Sequence, residues 1–283
     1  VTTAGSRPTP AGRPTPPGTG GAPTPPGNRA TGVTSEDLVT YALRLGDDAL
    51  IMAQRLGSLV TNLPELEEDL AVANIALDLL GQARALLTYA GQLEGKGRGE
   101  DELALERDER EFLNVQLVEL PDRDFAVTMG RLLLFSTYQL GLYRALTGSR
   151  DETLAGVAAK AAKEVAYHRD HAEHWVVRLG DGTEESHARM QAGLAEVWPY
   201  GAELFEVDAV QERLERAEVA PDLAALRPGW ESSIGEVLAE ATLEPVETSW
   251  EPSGGRRGLH TESFGYLLAE MQHLRRSHPG ARW

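Results

Sequence analysis

Between Glu65 and Leu93 the apolar residues cover so much of a helical circumference that this segment must pack against other helices. One stripe holds Val72, Ala76, Leu79, Ala83, Leu86 and Ala90, and Leu70, Ala73, Leu77, Leu80 and Leu87 widen it. Asn74, Asp78 and Gln82 form a narrow polar line at i, i+4 and i+8, with Arg84 and Thr88 beside it. A helix this apolar belongs inside a bundle, so the rest of the chain has to supply its neighbours.

Three further long segments answer that need. The cap Thr34-Ser35-Glu36-Asp37 opens a helix running to about Val60, with Leu38, Tyr41, Leu45, Met52, Leu56 and Leu59 on one stripe. Asn62 and Pro64 break it. A third long helix is expected from about Asp124 to Leu146 and a fourth from about Glu152 to Leu179, closed by Gly180-Asp181-Gly182. Shorter helices are expected over about 184–207, kinked at Pro199, and then over about 222–242 and 261–277. Residues 245–258 carry no helical period and read as extended or looped. No alternating pattern is long enough for a sheet. The expected fold is all-α, a four-helix bundle core with additional C-terminal helices, in one domain from 34 to 283. Residues 1–33, mostly Pro, Gly and Thr, are expected to be a disordered leader. Their Pro-Thr-Pro-Pro repeat could serve a Pro-binding module, but a solvated extension is the simpler reading.

Composition removes several kinds of chemistry. The 283 residues include no cysteine, which excludes disulfides, thiolate zinc sites, cysteine-held clusters and a cysteine nucleophile, and which fits a reducing cytosol. A formal charge of −17 repels phosphate backbones and anionic lipid, so neither nucleic acid nor membrane is an expected partner. No uninterrupted apolar run approaches the roughly 20 residues of a membrane span. No apolar segment follows a basic start, so no secretory signal is expected and the cytoplasm is the expected location.

Long four-helix blocks often carry a dimetal centre: one Glu on each of two helices and Glu-x-x-His on each of the other two. The spacing matters because residues three apart share a helix face. Here the third long helix lacks an acid from Phe125 through Arg150, and Gln139 is a poor substitute for an anion. The second contains no Glu-x-x-His; its nearest registers are Leu79 to Gln82 and Asp78 to Gly81. On the fourth, His168 lies on the inward stripe, but the residue three before it is Val165. The first offers Asp47 and Asp48. These residues describe a bundle with an emptied centre. Glu164, His168 and His171 share a face at i, i+4 and i+7, which leaves an independent metalloenzyme built on Glu164 and His168 as one alternative. His174 lies about 120° round the helix from His168. Ligands from other elements would be required. The simpler expectation is a polar pair of Glu164 with His168, with His171 and His174 solvated or at an interface. No phosphate loop or dinucleotide fingerprint is present. Within Gly254-Gly-Arg-Arg-Gly-Leu-His260-Thr-Glu262, Arg256 and Arg257 could grip a phosphate or carboxylate, as an acyl-CoA-binding module would, or pair with acids of a partner.

Several ordered strings carry a resemblance: Leu45 to Ile51 (LGDDALI), Asn74 to Arg84 (NIALDLLGQAR), Arg107 to Phe112 (RDEREF) and Leu117 to Pro121 (LVELP). With them go Asp124 to Ala126, Lys163 to His168, and the end GLHTE…LLAEMQ…PGARW. From about residue 36 to 283 they resemble the structural C-subunit family of the multicomponent ring-1,2-phenylacetyl-CoA epoxidases (phenylacetate-CoA oxygenases). The resemblance implies a ferritin-like fold and a non-catalytic subunit that supports a paralogous catalytic A subunit. That partner would carry the diiron centre and the acyl-CoA substrate. A small B subunit and a reductase holding FAD and an iron–sulfur cluster, fed by NADPH, are implied too. It puts Leu79 and Gln82 where the diiron subunits have Glu-x-x-His on the second helix. Val165 and His168 take the matching places on the fourth, so the resemblance carries over no catalytic, cofactor or metal-binding role.

Overall fold

The structure is a computed structural model that describes residues 32–63 and 65–281. The expected leader therefore lies, apart from its last two residues, outside the described part.

The chain's first helix, α1 (Ser35–Leu59), starts where the capping residues put it. Thr34 Oγ1 accepts the Asp37 amide at 3.1 Å and Asp37 accepts the Thr34 amide at 3.0 Å, which satisfies two otherwise orphaned N–H groups. α2 (Leu66–Glu94) returns antiparallel to α1 and stops at Gly95, whose φ of 67° is one that a side chain would strain. The short α3 (Glu100–Leu105) and two 3₁₀ turns, Glu109–Glu111 and Gln116–Glu119, lead across the bundle. α4 (Phe125–Leu146) is capped by Asp124, and α5 (Glu152–Gly180) by Asp151, each accepting a first-turn amide. α6 (Glu184–Val197) passes into a 3₁₀ segment, Trp198–Phe205. α7 (Ala209–Arg216), α8 (Leu223–Glu240), a 3₁₀ turn at Gly255–Arg257 and α9 (Glu262–Ser277) complete the described chain. No strand occurs among the described residues.

Two antiparallel hairpins, α1/α2 and α4/α5, form the frame, and α2 meets α5 between them. α6, α8 and the 3₁₀ segment Trp198–Phe205 pack on α4, while α7, α9 and the 3₁₀ turn Gln116–Glu119 pack on α1. As a result α1 is buried continuously from Tyr41 to Ala53 and α4 from Ala126 to Leu140. At the α4–α6 crossing Gly193 lets the helices touch: a β-carbon there would sit 2.9 Å from the Val127 nitrogen.

The four long helices and the all-α class match the expectation from periodicity. Three details differ. The expected helix over 184–207 is α-helical only to Val197, because Pro199 has no N–H to continue the ladder. α3 and α7 occupy stretches where no helix is expected; Asp208 caps α7, accepting the Val210 and Gln211 amides. Most consequentially, α2 is not enclosed. Leu66, Leu70, Leu77 and Leu80 face outward, and only Val72, Ile75, Leu79, Ala83, Leu86, Leu87 and Ala90 are its buried apolar side chains. By length and composition α2 would even pass for a membrane span, with a mean hydropathy of 1.4 over its most apolar stretch.

Candidate functional site

Four of the six ligand positions of a dimetal centre, as the resemblance assigns them, are Leu79 and Gln82 of α2 and Val165 and His168 of α5, two helices in contact. Leu79 and Val165 are completely buried and offer only hydrocarbon. Gln82 is buried and donates from Nε2 to Glu164 at 3.2 Å. His168 is buried too, and its Nε2 lies 3.2 Å from Asp78 Oδ2. The expected Glu164–His168 pair therefore does not form. Each residue instead reaches across to α2, Glu164 to Gln82 and His168 to Asp78, because α2 and α5 run close together at this level. Glu164 also takes Lys160 at 3.3 Å. Burial pushes the His168 imidazole below its usual value, with Asp78 opposing, so the ring is held neutral. Its Nδ1 has no partner. His171, expected to be solvated or at an interface, is largely buried between α5 and α2: its Nε2 lies 3.3 Å from Glu68, and burial lowers its pKa as well. His174 is exposed, with Nδ1 2.6 Å from the Asp170 carbonyl of its own helix.

Among the described residues no group of three or more His, Asp or Glu side chains converges in a way that could hold a metal ion. The donor set present does not fit a dimetal centre. Two of its required positions are hydrocarbon and a third is a neutral amide already donating to Glu164.

The stray acids of α1 are engaged elsewhere. Asp47 is buried against Arg107, whose Nη1 donates to it at 3.0 Å, and also accepts the Leu113 amide at 2.9 Å. Asp48 accepts the Val115 amide at 2.8 Å and two donors of Arg256, Nη1 at 3.0 Å and Nη2 at 2.8 Å. Arg256 further donates to the Leu113 carbonyl at 3.0 Å and the Arg44 carbonyl at 3.2 Å. Burial opposes the Arg256 charge, but Asp48 outweighs it and holds the guanidinium above its ordinary range. Nearby, Glu119 accepts from Asn114 at 2.8 Å and from the Thr261 amide at 2.7 Å, with His260 Nδ1 at 2.5 Å. Glu203 accepts three backbone amides, Gln116, Gly254 and Gly255, at 2.6, 2.8 and 2.7 Å. Burial is what pushes the Glu203 carboxyl upward; those amides and Arg256 pull it back.

One buried network thus ties α1, the crossing segment 107–119 and the loop 254–261 together. Asp47, Asp48, Arg107, Glu119, His260 and Thr261 come from four of the strings singled out above, LGDDALI, RDEREF, LVELP and GLHTE, while Asn114, Glu203 and Arg256 lie outside them. Their work is to fasten irregular backbone to the bundle, because a buried N–H or C=O must find a partner.

The expectation that Arg256 and Arg257 could grip an anion is corrected by the same geometry. A cleft of about 270 Å³ opens beside them, lined by Tyr41, Arg44, Tyr138, Asp208, Arg256 and Arg257 among others. Each guanidinium already faces a carboxylate: Arg256 has Asp48, Arg44 has Asp208, and the exposed Arg257 has Glu206 at 3.7 Å. The cleft therefore presents no surplus positive charge to a phosphate or an acyl-CoA.

Two helical hairpins packed through α2 and α5 define the class: a ferritin-like chain with no metal-holding cluster among its described residues. The chain belongs to the phenylacetic acid catabolic protein family (PaaA_PaaC), which matches residues 22–283. It is 46% identical over 246 residues to the C subunit of the 1,2-phenylacetyl-CoA epoxidase of Escherichia coli (strain K12), covering 87% of this chain and 99% of that relative.

Proposed function

We propose that this chain is a non-catalytic structural subunit of a 1,2-phenylacetyl-CoA epoxidase complex in aerobic phenylacetate degradation. It pairs with a catalytic A subunit that carries the diiron centre, and it holds that subunit in an assembled, active state. A small B subunit and an NADPH-dependent reductase with FAD and an iron–sulfur cluster complete the assembly, in the cytoplasm. The complex inserts one oxygen atom into the ring of phenylacetyl-CoA to give the epoxide.

The observation that carries this reading is the occupancy of the bundle centre. Leu79 and Val165 are buried and bring only hydrocarbon there, Gln82 donates to Glu164, and His168 lies against Asp78. Similarity to the C subunit of such an epoxidase, along nearly that relative's whole length, supports it. The test is metal content of the purified chain, alone and co-expressed with the A subunit. Negligible iron alone, with iron and NADPH-dependent epoxidation in the co-purified complex, is the expected result. Stoichiometric iron or zinc in the isolated chain would overturn it.

A further inference from the structure

We infer that the outward face of α2 is the seam on which a helix of a second, different ferritin-like chain docks. The inference rests on the proposed pairing and names the surface that performs it.

Along α2, Leu66, Leu70, Ala73, Leu77 and Leu80 follow one another at spacings of four, three, four and three, the repeat that keeps a strip of side chains facing a neighbouring helix. Leu66 is 69% exposed, Leu70 59%, Leu77 64% and Leu80 39%, although the opposite side of the same helix packs against α1. The strip runs about 21 Å along the axis. On the neighbouring α5, Tyr167 is 49% exposed, its ring tilted beside that of His171, which lies 3.3 Å from Glu68 of α2. Four exposed leucines and a tyrosine amount to apolar area on the order of 400 Å², as much as the largest patch of a typical monomer.

The period of the strip selects a helical occupant, and the charge of its rim selects which one. Exposed Glu65 and Glu67 flank Leu66, while Glu68 accepts from Trp175 at 2.7 Å and Asp69 accepts the Thr61 amide at 2.8 Å. Further along, Arg84 faces Glu100 at 2.7 Å and Lys160 faces Glu164 at 3.3 Å, and Lys163 is exposed on α5 four residues before Tyr167, so the unpaired acids gather at the Leu66 end. A complementary surface carries an apolar seam of the same period with Lys or Arg opposite that acidic end. A second copy of this chain, at −17, brings the opposite of what that rim requires.

The test is sedimentation of the full-length chain mixed with the A subunit that the proposed function assigns to it, alongside each chain alone. Leu70→Glu with Leu77→Glu, both at solvent-facing positions, is expected to weaken the pairing at least about 100-fold while leaving the melting temperature of the isolated chain nearly unchanged. Glu65→Lys with Glu67→Lys, which leaves the leucines intact, is expected to weaken it about 10-fold at low salt and less at high salt. Pairing that persists undiminished in both variants overturns the docking face and leaves the proposed pairing standing. Absence of pairing in the natural chain overturns the proposed pairing itself. A homodimer of the natural chain that the leucine variant dissociates makes a second copy the occupant and overturns the choice of partner. Flotation of the natural chain with phosphatidylcholine vesicles, lost in the leucine variant, would overturn it in favour of lipid.

Discussion

Arg256→Ala is the sharpest probe of the buried network. The substitution removes both donors from Asp48, whose side chain is 3% exposed, and leaves the carboxylate with the Val115 amide alone. It also strips a donor from the carbonyls of Leu113 and Arg44. Breaking one partner out of a buried ion pair costs about 3–5 kcal/mol, because the remaining charge stays desolvated. For a domain of this size that is a fall of roughly 6–20 °C in melting temperature. The neighbouring Arg257→Ala is the control: its partner Glu206 is 3.7 Å away and both are solvated, so its effect stays within about 0.5 kcal/mol. Replacing both members, Asp48→Leu with Arg256→Met, removes the stranded charge and recovers part of the loss; the cycle then yields the coupling between them. Urea unfolding followed by far-ultraviolet circular dichroism measures all four proteins. A cost for Arg256→Ala no larger than that of Arg257→Ala would refute the burial of this guanidinium on Asp48.

Glu203→Gln puts an amide where three backbone N–H groups need an acceptor, so about 2–4 kcal/mol should be lost in the same urea assay. Gly193→Ala forces a β-carbon onto the α4 backbone at Val127, and calorimetry should show a melting temperature lower by several degrees. Because burial holds His168 below its usual pKa, the unfolded chain takes up this proton first as pH falls below about 6.5, and stability drops from there toward the folded-state value. His168→Leu should flatten that acid-side decline between about pH 7.5 and 5; an unchanged slope would assign it to other groups, His171 first among them.

The features legible in the order of residues are those that depend on neighbours along the chain. Helix periods and caps are set within a few residues, which is why Thr34, Asp124 and Asp151 open helices as their types suggest. The chemistry of single side chains is equally legible, since those of Leu79 and Val165 offer no ligand atom in any fold. The expected pairing of Glu164 with His168 fails for the complementary reason. Spacing on one helix places two groups on a common face but does not say that Gln82 and Asp78 of another helix lie closer. Signals for the network exist, namely acids, an arginine and a histidine in otherwise apolar or irregular strings, but nothing in the order of residues matches Asp48 with a partner 208 positions away.

By itself the sequence determined the helical class and the four long helices, because periodicity is a local property. Only the tertiary structure decided which apolar stripe of α2 is core and which is surface. Both stripes are leucine-rich, and burial depends on where α1 and α5 come to rest against them. The same is true of Arg256: a guanidinium between glycines is equally suited to solvent, a ligand or a buried aspartate. The choice was made by the fold bringing Asp48 and two unsatisfied carbonyls to it.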